Sequence, residues 1–235
     1  MEERVKMATK LIVALDFPEL EPALALVDRL GDTVEWYKVG KQLFTHYGPM
    51  VLKELKNRGK QVFLDMKYHD IPNTVAGAIR SAAAIGADII NVHASGGPAM
   101  LAAAAAAAKE TGKTVIAVTV LTSMDQEQLN AIGLEVTPAQ QVSRLARLTE
   151  ESGLAGVVCS PLEIELIRAE RSGDFITVVP GIRPAGAAVG DQKRIMTPAL
   201  AAKAGASYIV VGRPIIAAED PVAAAKSVLA ELAEA

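Results

Sequence analysis

Short β-branched runs alternate with longer helical patterns from one end of the chain to the other, and this alternation leaves few folds open. It is typical of βα units around a parallel sheet, because parallel strands need a crossover connection that is usually a helix. Eight such units can be counted along the sequence. Strands are predicted at 11–16, 34–39, 61–66, 88–93, 114–121, 156–160, 175–180 and 207–212.

Eight βα units in 235 residues predict a (β/α)8 TIM barrel of the α/β class, with residues 1–235 forming a single domain. An open doubly wound sheet is the weaker alternative. Glycine stands at several predicted helix-to-strand joints, such as Gly59 and Gly205, where a helix C-cap favours it. Both architectures bind ligands at the carboxyl ends of their strands, so we expect site residues at those ends.

Charge and hydropathy patterns exclude several kinds of function. The net charge is -3 and no block of basic residues occurs, so we expect no nucleic-acid partner. No run of eighteen or more strongly apolar residues occurs, so we expect no membrane association. Segment 1–10 has no apolar signal-peptide core, and the single Cys159 cannot form an internal disulfide. These features predict a cytoplasmic protein in which Cys159 is a buried structural residue and not a nucleophile.

Charged residues collect at the predicted strand ends. They are Asp16 on the first strand, Lys38 on the second, Asp65 and Lys67 on the third and His93 on the fourth. Residues two apart in a strand share a face and neighbouring strands lie about 4.8 Å apart, so Asp65 and Lys67 should point toward the first two strand ends. For any one residue, an ion pair that merely closes the barrel is the structural alternative. Buried charges are costly, however, and the cluster therefore predicts a functional carboxylate–ammonium network.

A second candidate site follows the last two predicted strands. Segment 180–183 reads Pro-Gly-Ile-Arg, a Gly/Ala-rich loop comes next, and segment 210–213 reads Val-Val-Gly-Arg. The loops after strands seven and eight of such barrels commonly bind phosphate through backbone N–H groups, a helix N-terminus and arginine. Taken alone, Arg213 is a solvated surface arginine, but its place after Gly212 at a strand end favours phosphate binding. The sequence therefore predicts a phosphorylated substrate.

Segment 65–74, Asp-Met-Lys-Tyr-His-Asp-Ile-Pro-Asn-Thr, resembles the D-x-K-x-x-D-I-P-N-T signature of the orotidine monophosphate decarboxylase family. Shorter matches follow in the family's order at 14–16, 37–40, 91–94, 121–123, 158–160, 180–183, 191–192 and 210–213. The resemblance implies a (β/α)8-barrel enzyme without cofactor or metal. Its implied reaction converts orotidine 5'-monophosphate to uridine 5'-monophosphate (UMP) and CO2, the last step of de novo pyrimidine biosynthesis.

The resemblance also implies roles for single residues. Lys67 would donate a proton to C6 of the pyrimidine, and Lys38, Asp65 and Asp70 would complete its charge network. His69 and His93 are interpreted as supporting residues without a proton-transfer role. The implied substrate contacts are Asp16, Lys38 and Thr74 at the ribose, Asp65 near the departing carboxylate, Thr122 and Ser123 at the pyrimidine, Gln192, Gly212 and Arg213 at the phosphate, and Arg183 as a further member of the binding set.

A homodimer with shared active sites is a further implication, in which Asp70 and Thr74 enter the site of the neighbouring subunit. One alternative function is that of the magnesium-dependent phosphosugar decarboxylases, which resemble this chain at the D-x-K-x-x-D core. Lys38 speaks against it, because those relatives place a carboxylate there and an ammonium repels a hard cation. A nucleotide-binding barrel without activity is the second alternative, since a fold alone does not prove catalysis.

Overall fold

The computed structural model describes residues 8–171, 173–184 and 196–235, and in them eight parallel strands close in chain order into a barrel. Strand β8 pairs in parallel with β1, with Ile12 opposite Val210, so the sheet has no open edge. The predicted (β/α)8 barrel is confirmed, and the open-sheet alternative is wrong. The strands are β1 (Lys10–Ala14), β2 (Trp36–Gly40), β3 (Gln61–Tyr68), β4 (Ile89–His93), β5 (Thr114–Val118), β6 (Gly156–Val158), β7 (Ile176–Val179) and β8 (Tyr208–Val211).

Helices connect the strands around the barrel. Two helices stand between β2 and β3 where one was expected, because Gly48 with φ +58° ends the first and Pro49 begins the second. Gly59 and Gly205 both have positive φ, as their predicted C-cap positions require. The described helices are α1 (Leu20–Leu30), α2 (Lys41–Tyr47), α3 (Pro49–Asn57), α4 (Pro72–Ala84), α5 (Gly97–Thr111), α6 (Gln126–Ala131), α7 (Pro138–Glu151), α8 (Ile164–Glu170), α9 (Pro198–Lys203), α10 (Arg213–Ile216) and α11 (Pro221–Ala233). Within the described ranges, no helix has the length and hydropathy to cross a membrane.

The strands are apolar on both faces, because each lies between the barrel interior and the surrounding helices. In β1, Ile12 belongs to a cluster inside the barrel, whereas Leu11 and Val13 belong to the larger cluster under the helices. Trp36 and Phe63 add large side chains to the interior cluster. This double burial explains the near-continuous apolar runs in the sequence. It also fills the barrel below its mouth, so the space for a ligand within the described barrel lies at the ends of the strands.

A polar network around Arg168 of α8 lies at the amino-terminal side of β7 and β8. The Arg168 guanidinium donates to the carbonyl oxygens of Phe175 at 2.6 Å and Gly205 at 2.8 Å. It also donates to the hydroxyl oxygens of Thr177 at 3.0 Å and Ser207 at 2.8 Å. These contacts, here called the Arg168 network, tie α8 to the segments that lead into β7 and β8. They lie at the opposite end of the strands from the predicted site.

Candidate active site

Four charged side chains at the carboxyl ends of β1, β2 and β3 form a continuous series of ion pairs. Lys38 Nζ lies 3.0 Å from Asp16 Oδ1 and 3.6 Å from Asp65 Oδ2. Lys67 Nζ donates to Asp65 Oδ1 at 2.5 Å. Lys38 and Asp65 are each 12% exposed, whereas Asp16 is 57% exposed and stands at the rim. The structure thus brings together Asp16, Lys38, Asp65 and Lys67, which we call the charged array.

The two buried members of the charged array hold each other in the ionised form. Burial alone would lower the pKa of Lys38, but the Asp65 and Asp16 carboxylates outweigh it and raise that pKa above its usual value. Burial alone would raise the pKa of Asp65, but the Lys38 and Lys67 ammonium groups, with a hydrogen bond from Asn91, hold it below its usual value. Fixed opposite charges therefore stand side by side at the barrel mouth at neutral pH.

The backbone of β3 departs from a regular strand at Lys67. Lys67 has φ +55° and is the one non-glycine residue with positive φ in the described part of the chain. Leu64 pairs with Ile90 and Tyr68 pairs with Val92, so β3 carries two more residues than β4 across this stretch. The regular alternation from which the sequence placed Lys67 beside Asp65 does not hold here. The two side chains meet all the same, with Lys67 Nζ donating to Asp65 Oδ1.

Asn91 is the site residue to which the sequence reasoning gave no role. It lies fully buried in β4. Its Nδ2 donates to Asp65 Oδ1 at 2.7 Å, and its Oδ1 accepts from the Lys67 backbone N–H at 2.7 Å. One signal was present in the sequence: an amide inside an otherwise apolar strand, between Ile90 and Val92, must find buried hydrogen-bond partners. Those partners are both in the bulged segment of β3.

The charged array borders a cavity at the barrel mouth with a volume of about 170 Å³. Lys38, Asp65 and Lys67 line it, together with Thr122 and largely apolar side chains. Three of these apolar side chains are valines at the ends of successive strands: Val118, Val158 and Val178. Ligand pockets commonly measure about 300–1,000 Å³. A cavity of this size encloses a ring-sized part of a ligand, and the remainder of the ligand lies at the open mouth.

The two arginines predicted to bind substrate lie at the ends of β7 and β8. Arg183 is buried. Its backbone N–H donates to Met196 O and its Nη1 donates to Ile182 O, both at 3.0 Å. Burial, and after it the positive charge of Arg213, lower the pKa of Arg183. Gly212 lies next to the charged array, since a Cβ placed on it would be 3.6 Å from Asp16 Oδ2. Gln192 lies outside the described residues.

Three further predicted site residues are exposed and do not line the cavity. Asp70 is exposed, and its Oδ1 accepts from the Ile71 backbone N–H at 2.6 Å. Thr74, in the first turn of α4, and Ser123, beside the cavity-lining Thr122, are also exposed. Asp70 is therefore separate from the charged array within this chain.

His93 and Cys159 are neutral groups beside the array and the cavity. The His93 ring lies 5.6 Å from the His69 ring, centroid to centroid. Burial, together with the positive charges of His69 and Lys67, lowers the pKa of His93 to about 4. Cys159 is fully buried, and burial raises the pKa of its thiol. The His93 ring and the Cys159 thiol are therefore neutral at neutral pH, and the predicted burial of Cys159 is confirmed.

A closed βα barrel with fixed opposite charges at its strand ends defines a (β/α)8-barrel protein with a charged site where barrels of this class bind their ligands. The chain belongs to the orotidine 5'-phosphate decarboxylase / HUMPS family, whose model matches residues 9–228. It is 51% identical to the orotidine 5'-phosphate decarboxylase of Moorella thermoacetica, over 99% of this chain and 96% of the relative. It is 56% identical to that of Halorhodospira halophila, over 96% of this chain and 97% of the relative. The family resemblance seen in segment 65–74 is confirmed.

Solved structures agree with this assignment. The orotidine 5'-phosphate decarboxylase from Lactobacillus acidophilus superposes with a TM-score of 0.85 at 38% identity, covering 95% of this chain and 99% of that one. The enzyme of the same name from Pyrococcus horikoshii superposes with a TM-score of 0.76 at 28% identity, again covering 95% of this chain and 99% of that one. The likeness extends over the whole barrel.

Proposed function

We propose that the chain decarboxylates orotidine 5'-monophosphate to UMP and CO2, in UMP biosynthesis, with Lys67 as the proton donor to C6. The observation that carries the proposal is the charged array at the barrel mouth. It presents the Lys67 ammonium, fixed by a 2.5 Å hydrogen bond to Asp65, to a cavity that encloses a ring. Identities of 51% and 56% to relatives with this name support the same reaction.

The reaction needs electrostatic stabilisation. When the bond from C6 to the carboxylate breaks, CO2 leaves and the electron pair stays on C6, in an orbital that the ring π system cannot delocalise. A preorganised ammonium beside C6 stabilises this charge, more strongly where few water molecules compete. Lys67 then transfers a proton from Nζ to C6, which completes UMP, and regains a proton from solvent. Asp65 lies beside the departing carboxylate in this proposal.

Three groups of residues orient the substrate in this proposal. Thr122 lines the cavity, so it and the adjacent Ser123 contact the amide edge of the pyrimidine. Asp16 stands at the rim and is paired with Lys38, and a ribose would lie beside them, between the ring and the phosphate. The phosphate itself is held at the ends of β7 and β8, by Gly212, Arg183 and Arg213. Arg183 and Arg213 repel each other in the free chain, and a dianion between them would relieve this repulsion. Gln192, outside the described residues, completes the proposed phosphate set.

Substitution Arg213→Ala is expected to raise KM for orotidine 5'-monophosphate by about 10- to 100-fold, the usual value of a charge-assisted hydrogen bond. It should leave kcat much less affected, because the contacts to the reacting ring remain. Steady-state kinetics with orotidine 5'-monophosphate and with the nucleoside lacking the phosphate measure both effects. An equal loss of kcat/KM with the two substrates would contradict phosphate binding by Arg213.

The magnesium-dependent phosphosugar decarboxylases remain the alternative, because family membership alone does not separate them. The array favours the orotidine monophosphate reaction, since the Lys38 ammonium stands between Asp16 and Asp65 at 3.0 and 3.6 Å. A divalent cation would have to displace it to reach those oxygens. The test follows the absorbance of orotidine 5'-monophosphate with purified protein in EDTA. Absent turnover, or turnover that depends on added magnesium, would overturn the proposal.

The proposal includes a homodimer with shared sites. Asp70 and Thr74 are exposed on either side of the start of α4, and neither touches the charged array of its own chain. Each site would therefore combine Lys67 of one subunit with Asp70 of the partner subunit, and each interface would serve two sites by two-fold symmetry.

A cytoplasmic location is also proposed, since the single Cys159 has no disulfide partner in the chain.

A further inference from the structure

We infer that Asn91 is a positioning residue for the decarboxylation, because its buried amide fixes both the Lys67 backbone and the Asp65 carboxylate. The inference rests on the proposed function of Lys67. Asn91 itself touches no substrate atom in this scheme. It acts by setting the direction in which the Lys67 ammonium points.

Both ends of the Asn91 amide are used. Oδ1 accepts from the Lys67 backbone N–H at 2.7 Å, and Nδ2 donates to Asp65 Oδ1, also at 2.7 Å. The same Asp65 oxygen accepts from Lys67 Nζ at 2.5 Å. The three residues therefore form a closed ring of hydrogen bonds, in which one amide holds the two ends of the Asp65 and Lys67 pair. Asn91 is fully buried, so water cannot take over either contact.

The bulge explains why a side chain is needed at this point. Leu64 pairs with Ile90 and Tyr68 with Val92, so Asn91 alone on β4 faces the unpaired segment 65–67. The ladder between β3 and β4 is interrupted there, and the Asn91 side chain supplies the acceptor that Lys67 N–H uses instead. Without this acceptor, the disfavoured φ of +55° at Lys67 would lose its support. A relaxed backbone would re-aim the Lys67 side chain away from the reacting carbon.

Two substitutions distinguish the hydrogen bond that Asn91 accepts from the one that it donates. Asn91→Leu keeps a similar volume and removes both hydrogen bonds. Its kcat should fall by about 100-fold, the effect of misplacing a catalytic group by roughly 1 Å. Its KM should change by less than about fivefold, because the substrate contacts remain. Asn91→Asp keeps the acceptor for Lys67 N–H but sets a second oxygen against Asp65.

The pH profile of Asn91→Asp gives a signature that a merely structural role would not produce. Repulsion from Asp65 raises the pKa of the new carboxyl, so it takes up a proton as the pH falls. The protonated carboxyl can donate to Asp65 as the amide did. The kcat of Asn91→Asp relative to wild type should therefore rise toward low pH, whereas the ratio for Asn91→Leu should stay constant.

Thr177→Val is the matched control. Thr177 is a fully buried polar residue of β7, but its hydroxyl accepts from Arg168 and it does not line the cavity. Its substitution should lower Tm and leave kcat unchanged. Wild-type kcat in a folded Asn91→Leu, or a pH-independent ratio for Asn91→Asp, would overturn the inference. If Asn91→Leu does not fold, the Asn91→Asp profile decides alone. Failure of the wild type to act on orotidine 5'-monophosphate would instead refute the proposed function.

Discussion

The Lys67→Ala variant is expected to lose decarboxylation of orotidine 5'-monophosphate by a factor on the order of 10⁴ or more. Two contributions disappear together: the fixed charge that stabilises the carbanion, worth about 10²–10³ for a single donor, and the proton donor, worth about 10²–10⁴. Single-turnover and steady-state assays of the purified variant measure the loss. Binding of UMP should persist, since the phosphate and ribose contacts remain.

The fold should survive this substitution. Lys67 is 24% exposed at the barrel mouth, and Asp65 keeps its ion pair with Lys38 at 3.6 Å and its hydrogen bond from Asn91 at 2.7 Å. Circular dichroism and Tm measurements show whether the Lys67→Ala variant is folded. Lys53→Ala, on the exposed face of α3, is the control for loss of one lysine charge and should retain full activity. Near-normal turnover in a well-folded Lys67→Ala variant would refute the assigned role.

Mixing Lys67→Ala with Asp70→Ala is expected to restore activity that neither variant has alone. In a heterodimer with shared sites, one site carries both substitutions and the other carries neither. If subunits reassort at random in equal amounts, roughly a quarter of all sites should be intact. The kcat per total site should therefore approach about one quarter of the wild-type value after exchange, given two-fold symmetry.

The control for the mixing experiment pairs Lys67→Ala with the double variant Lys67→Ala/Asp70→Ala. No site in that mixture contains Lys67, so it should stay inactive at every ratio. Heterodimer formation is verified separately, by differently tagged subunits. Verified heterodimers without recovered activity would place Asp70 in the site of its own subunit and contradict the shared site.

The number and order of the strands could be predicted from sequence, but several of their ends could not. β5 was predicted to reach residue 121, yet it ends at Val118. Thr119 and Val120 remain buried beyond the strand, and Val120 lines the cavity, so the apolar pattern continues. β6, which contributes only Gly156–Val158, limits the ladder on that side. The hydrophobic pattern of a sequence indicates which residues are buried. Where a strand ends depends instead on the length of the strand that pairs with it.

In the candidate active site, too, some contacts could be predicted from the sequence and others could not. The meeting of Asp16, Lys38 and Asp65 follows from their places at neighbouring strand ends, and sequence sufficed to predict it. The left-handed backbone at Lys67 did not follow, because a bulge is a mismatch between two strands and no local pattern in β3 encodes it. Asn91 was passed over for the same reason, since its partners lie more than twenty residues away along the chain.

The Arg168 network has a consequence for the evolvability of this barrel. The four-residue strands β7 and β8 span about 13 Å, and substitutions more than about 7–10 Å apart usually have additive effects on the free energy of unfolding. Stability gained around Arg168 can therefore offset stability lost at the cavity. Directed evolution toward other pyrimidine nucleotides should accept more cavity substitutions when it starts from a variant stabilised at the Arg168 end, because each such change consumes part of a finite stability margin.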